Sequence, residues 1–206
     1  MGSPIDYSII MEPTNRHWLL TLLMPRVVEA NDIGIVSAYH LFTFKRITKT
    51  FRYNLTSDLN YRIERKLSSN RRYRNTLLPE GYNPRSIALA KELRAGMSSD
   101  EDYPAVLLNR YVKEEFTYTL KPPTLGLHTV DDFYLGTKSG FCEHFASSFV
   151  FMMRAAGIPV RIVVGYQGVS TTPRETTSPR TTLMPTPGQK CGSWVEVGYV
   201  LTRPLR

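Results

Sequence analysis

Residues 140–166 read GFCEHFASSFVFMMRAAGIPVRIVVGY. A glycine turn leads into a cysteine, the cysteine opens an apolar-periodic stretch, and a β-like run follows. Phe145, Phe149, Met152 and Ala156 recur at helical spacing, so the stretch from Cys142 to about Ala156 predicts a helix with a buried face. Gly157 and Pro159 end that helix, and VRIVVGY predicts a strand over 160–166. A thiol at a helix start meets unpaired amide N–H groups and the positive end of the helix dipole, and both favour the thiolate. Gly140 permits the sharp turn that exposes it. The competing reading is an inert cysteine capping a core helix, the commoner fate of a lone cysteine. The turn glycine, the helix start and the following strand bring the two readings level.

A cysteine nucleophile needs a base to take the thiol proton and a third group to orient the base. The chain has four histidines: His17, His40, His128 and His144. His144 lies two residues along the helix from Cys142 and points to another face, which suits packing or support rather than proton transfer. His17 and His40 fall in the β-like first part. His128 sits in a loop upstream and is the remaining geometric candidate. No histidine follows position 144.

Outward from this stretch the chain changes character twice. IDYSIIME (5–12) and HWLLTLLM (17–24) predict strands joined by a turn at 13–15, and short Thr-, Phe- and Tyr-rich runs continue through AYHLFTF and TKTFRYNLTS. This part, residues 1–76, reads as a β-rich, sandwich-like module. From Leu77, turn residues give way to helical patterns. Asn83-Pro84 predicts an N-cap and first-turn proline ahead of a stripe of Ile87, Ala90 and Leu93 closed by Gly96. A second helix is expected from Ser98 or Ser99, with acidic residues behind it. FTYTLKPP predicts a short extended piece, and VDDFYLGTKSG a helical turn leading to the nucleophile glycine. From Val169 the chain reads VSTTPRETTSPRTTLMPTPGQK, crowded with Thr, Ser and Pro and nearly devoid of apolar residues. That composition predicts disorder over 169–206.

The 206 residues carry a formal net charge of +8, which suits nucleic acid or an anionic membrane surface. The basic residues are scattered except in RIERKLSSNRRYR (62–74), and no nucleic-acid motif accompanies that patch. It reads as a solvated helix or loop face. Two cysteines without CxxC spacing build neither a disulfide framework nor a zinc site. No apolar run reaches the length of a membrane span, and no signal-peptide pattern opens the chain.

KSGFCEHFASSFVFMMRAAGIPVRIVVGYQG closely resembles the nucleophile segment of the transglutaminase-like superfamily, whose core is papain-like. It is most similar to the extracytoplasmic domain of bacterial membrane-anchored members. FTYTLKPP, VDDF and LPEGYNPR also resemble that branch. The resemblance covers roughly residues 5–168 and is specific over 139–168. It implies that Cys142 is the nucleophile, with Gly140, Phe141, Glu143 and His144 as candidate oxyanion or supporting residues. It implies no metal and no organic cofactor. It also implies a protein or peptide substrate, an upstream membrane segment and an extracytoplasmic, periplasmic location.

The family pattern continues with a histidine in an HAWAEVW-like strand and an aspartate in a GWVRVDPTA-like strand. This chain carries neither; it has LMPTPGQKCGSWVEVGYVLTRPLR. The genetic code suggests why. Take the last base of each codon with the first two of the next. Met184 to Pro185 then gives GCC, alanine, and Pro185 to Thr186 permits histidine. The junctions from Leu183 to Gly192 permit DAHAWAEVW. Those from Trp194 permit GRGWVRVDPTA, with the aspartate at the junction of Leu201 and Thr202, and those from Gly168 permit GEYNP. A frameshift near Gly168 or Val169 accounts for this run. The competing account is a divergent in-frame tail. On the frameshift reading Cys191 and Trp194 have no function.

These expectations define an α+β chain: a β-rich module (1–76), an incomplete papain-like transglutaminase core (77–168) and a disordered, out-of-frame tail (169–206). The family activity is acyl transfer or amide hydrolysis through a cysteine thioester, disabled here because the histidine and aspartate are missing. The alternatives are a non-catalytic module that binds a peptide or cell-wall component, and a basic nucleic-acid binder resting on charge alone. Strand 160–166 is expected to present an unpaired apolar edge, with marginal stability and aggregation as the consequence.

Overall fold

The computed structural model describes residues 4–22, 24–28, 32–35, 40–58, 67–164, 170–172, 180–182 and 195–196. The chain is α+β, as expected, and divides into two compact units, Met1–Glu64 and Arg65–Arg206. The division falls ahead of the change of character at Leu77.

In the first unit, strands β1 (Ile5–Met11), β6 (Phe51–Ser57) and β3 (Pro25–Val28) form one sheet in the order β1-β6-β3. Strands β2 (Trp18–Leu19), β5 (Leu41–Thr43) and β4 (Ile33–Ile35) form the other, in the order β2-β5-β4. All these pairs are antiparallel, and β1 runs against β6 from Ile5 opposite Ser57 to Met11 opposite Phe51. Both sheets feed one core of Met11, Leu19, Leu41, Ile47, Tyr53 and Leu55. HWLLTLLM is not one strand as its hydropathy suggests. It leaves the sheet after Leu19, and side-chain hydroxyls serve its backbone instead: Tyr53 donates to the Leu20 carbonyl at 2.7 Å, and the Leu22 amide donates to the Tyr7 hydroxyl at 3.0 Å.

The second unit is built on helices. These are α1 (Ser69–Thr76), α2 (Pro84–Ala95), α3 (Tyr103–Lys113), the single turn α4 (Thr129–Asp131) and α5 (Cys142–Ala155). A wide helical turn (Asp132–Thr137) follows α4 directly. No residue of α1 is buried, so the basic patch is a solvated face as far as it is described. α3 begins later than Ser98 or Ser99, because Ser99 Oγ accepts the Glu101 amide in a turn of its own and Asp100 pairs with Arg94. Pro104 then fixes the first turn of α3.

α5 is the centre of this unit. Phe149, Val150, Phe151, Met152 and Met153 are all buried, so this stretch of α5 is enclosed beyond the single face that its spacing predicts, with Arg154 following it only partly buried. It ends as the sequence anticipates. Gly157 takes a φ of +79°, its amide bonds to the Arg154 carbonyl at 2.9 Å, and the Ile158 amide bonds to that of Met153 at 3.0 Å. Ile158 and Met153 are both buried in the core cluster of this unit.

Short strands complete the unit. β7 (Thr117–Tyr118) runs parallel to β8 (Ser139–Gly140). β9 (Val163–Val164) pairs antiparallel with β12 (Val195–Glu196), and β10 (Ser170–Thr172) with β11 (Arg180–Thr182). The expectation of an unpaired edge at 160–166 is therefore corrected: Val163 and Val164 have a partner drawn from the tail, although residues 165 and 166 lie outside the described set. Three short strands are also described within the tail whose composition predicts disorder. No helix among the described residues is long and apolar enough to cross a membrane.

Candidate active site

The approach to Cys142 is fixed by its neighbour strand. The Thr117 amide donates to the Lys138 carbonyl and the Thr119 amide to that of Gly140, each at 2.8 Å. Lys138, in left-handed backbone at φ 49°, turns the chain into β8, and its amine pairs with Glu114 at 3.3 Å. Phe141 is extended, at φ −113° and ψ −176°, and α5 starts at the next residue. Cys142 therefore occupies the first helical position, half-buried, and Glu143 beside it is exposed.

The residues around the thiol are packed tightly. A Cβ on Gly140 would stand 2.7 Å from His144 Cβ, 2.8 Å from its Cγ and 2.9 Å from Phe133 Cε2. This close approach is what requires the glycine; its backbone lies in strand β8 and is not left-handed, so the expected turn is not the reason for it. The His144 ring meets Phe141 edge-on at 4.4 Å and Phe133 at 5.5 Å. Its Nδ1 lies 3.4 Å from the Phe141 amide, which donates to it. One turn further, Ser148 Oγ donates to the His144 carbonyl at 2.7 Å and accepts from the Tyr111 hydroxyl at 2.7 Å. Burial pushes the phenols of Tyr103, Tyr111 and Tyr134 above the ordinary tyrosine value, Tyr134 to about 12.

His128 has a different task. Its Nδ1 accepts the Asn83 amide at 3.1 Å, so its proton sits on Nε2. Asn83 holds left-handed backbone at φ 53°. It does occupy the N-cap position, but its side chain caps another helix: Oδ1 accepts from Val130 and Asp131, at 2.9 and 3.2 Å, at the start of α4. The favour is returned. The buried Asp131 carboxylate accepts from Arg85 at 3.1 Å and Ser86 at 2.7 Å, at the start of α2. Sequence spacing flagged Asn83 and VDDF separately; nothing local marks them as partners.

Cys142, His144, Phe141 and Gly140 are thus brought together with Phe133. His17 and His40 belong to the first unit. His128 and His144 each already use Nδ1 as an acceptor for a backbone amide. Among the described residues no three His, Cys, Asp or Glu side chains form a group that could hold a metal ion.

An α+β unit with a thiol at the head of its central helix is the architecture of the transglutaminase-like superfamily. The model of that superfamily matches residues 87–200, more than half of the chain, and the chain belongs to it. The matched span runs past Gly168 into the tail. The chain is 40% identical over 167 residues to a protein-glutamine gamma-glutamyltransferase of Pseudomonas aeruginosa, covering 81% of this chain and 25% of that protein. It therefore spans about a quarter of that relative's length. It also matches the uncharacterized protein YebA of Bacillus subtilis, 29% identical over 137 residues, covering 63% of this chain and 18% of that one. The crystal structure of the periplasmic domain of TgpA from Pseudomonas aeruginosa shares the fold at a TM-score of 0.76 and 38% identity, covering 84% of this chain and 59% of that one.

Proposed function

We propose that this chain derives from a periplasmic cysteine acyltransferase acting on protein or peptide amides, with Cys142 as its nucleophile. The observation that carries the reading is the placement of Cys142 at the first position of α5 in a member of this superfamily. In the reaction, the Cys142 sulfur attacks the carboxamide carbon of a glutamine or a peptide carbonyl. The thiol proton passes to a base and from it to the departing amine, and a thioester remains. A primary amine or water then resolves the thioester. The amide at the helix start is the candidate donor to the oxyanion. Gly140, Phe141, Glu143 and His144 shape the turn that carries the sulfur.

The chain as written lacks the base. Residues 169–206 contain neither histidine nor aspartate, and a frameshift near Gly168 accounts for their loss. The family match through residue 200 is compatible with such a tail filling strand positions without the catalytic side chains. The test has two parts. Incorporation of a labelled primary amine into a glutamine-containing protein should be absent with this chain and present with a chain restored to the alternative frame. In the coding DNA, third bases unable to spell the histidine and aspartate codons would end the frameshift account.

A second reading is a non-catalytic module that holds a peptide or cell-wall component. Its support is that the two histidines of this unit are both committed to backbone amides. Retained folding and saturable peptide binding, without thiol reactivity, would favour it.

A further inference from the structure

We infer that His144 is a positioning residue for Cys142, acting through the Phe141 peptide and not on the thiol proton. The inference rests on the reading of Cys142 as the nucleophile. Counting from Cys142, His144 is the third residue of α5, the position from which a Glu or Gln side chain reaches back to the N-cap amide in a capping box. Here an imidazole does that task. Its Nδ1 accepts the Phe141 amide at 3.4 Å, while its own amide donates to the Phe141 carbonyl at 2.9 Å. Residues 141 and 144 are tied in both directions, and Cys142 is bracketed between them. The ring is wedged by Phe141 at 4.4 Å and Phe133 at 5.5 Å, over the space left by the missing Gly140 Cβ.

Two consequences follow from the chemistry. An imidazole accepting through Nδ1 carries its proton on Nε2, so in this tautomer neither nitrogen is a vacant acceptor for the thiol proton. And fixing the Phe141 peptide fixes the direction in which the Cys142 Cα–Cβ bond leaves the turn, which is the geometric requirement for attack. The same unit repeats the device at the head of α2, where His128 Nδ1 accepts the amide of Asn83.

The test compares His144→Gln with His144→Phe in the full chain. Cys142 alkylation by iodoacetamide is read by peptide mass spectrometry, so that Cys191 is counted separately. Hydrogen exchange of the Phe141 amide is followed alongside. Gln restores an acceptor from the same position and should keep the alkylation rate within about twofold of the unaltered chain. Phe fills the wedge without an acceptor and should slow alkylation about tenfold, with the Phe141 amide losing its protection. If His144→Phe does not fold, His144→Ala is read in its place. Equal losses with Gln and Phe would mean that the imidazole itself acts, and would overturn the inference. So would an unprotected Phe141 amide in the unaltered chain beside a reactive Cys142. An unreactive Cys142 in the unaltered chain would instead defeat the nucleophile reading, and the positioning role with it.

Discussion

The starts of α2 and α5 draw on the same resource, the unpaired amide N–H groups and positive dipole end of a helix. At α2 a buried carboxylate consumes it: Asp131 accepts two amides and is itself held by the helix whose start Asn83 caps. At α5 the His144 amide is met by the Phe141 carbonyl, and the first position carries a half-buried thiol. One helix start is sealed by a buried carboxylate; the other carries the thiol proposed as the nucleophile. If Cys142 has the proposed role, stability and reactivity draw on the same kind of N–H group at two different helices of this unit.

The largest effect should come from breaking the sealed end. Asp131→Ala strands the amides of Arg85 and buried Ser86 and should cost about 3 kcal/mol in urea denaturation, the range for charge-assisted bonds and their unmet donors. Asp131→Asn keeps an acceptor and should lose about 1 kcal/mol. At the open end, Gly140→Ala forces a Cβ against His144 and Phe133 at under 3 Å. It should cost about 2 kcal/mol by overpacking and lower the Cys142 alkylation rate in parallel. At α2 a helix-start substitution should change stability alone.

The body of α5 can be loosened by alkali. Tyr103 donates toward its Met152 carbonyl and Tyr111 to its Ser148 hydroxyl, and their phenols, like that of Tyr134, are raised by burial. Folded tyrosines then hold their protons more tightly than unfolded ones. Their contribution is complete below about pH 10 and falls as pH rises through the folded values, by up to about 1.4 kcal/mol per pH unit for each phenol. Urea midpoints measured from pH 8 to 11 should be flat and then decline. The smallest effect should be Lys138→Ala, which removes a half-exposed pair with Glu114. It should change stability by less than about 0.5 kcal/mol and leave both helix starts as they are.

How much of this was legible follows from the range of the interactions. The α5 helix, its glycine stop and the β-rich first unit all rest on local periodicity and turn chemistry, and they read directly from the sequence. The α2–α4 lock did not. Asn83 carries the right residue type for an N-cap, yet its partners are Val130 and Asp131, and only the fold brings them within 3.2 Å. The late start of α3 was hidden for a related reason, since Asp100 was already engaged by Arg94. The pairing of β9 with residues 195 and 196 could not be read from a tail whose composition argues for disorder. Cys142 and its supporting residues were legible as a candidate site because turn, thiol and helix are contiguous. A base lying on another element is not visible in that way.

The head of α5 is proposed to activate Cys142. The deciding experiment is the rate of Cys142 alkylation in the full chain from pH 5 to 9, read by peptide mass spectrometry. The thiolate should titrate below the ordinary cysteine value of about 8.5, stabilised by the helix start. A thiol that titrates at or above that value, or that the reagent does not reach until the chain unfolds, would contradict the proposal.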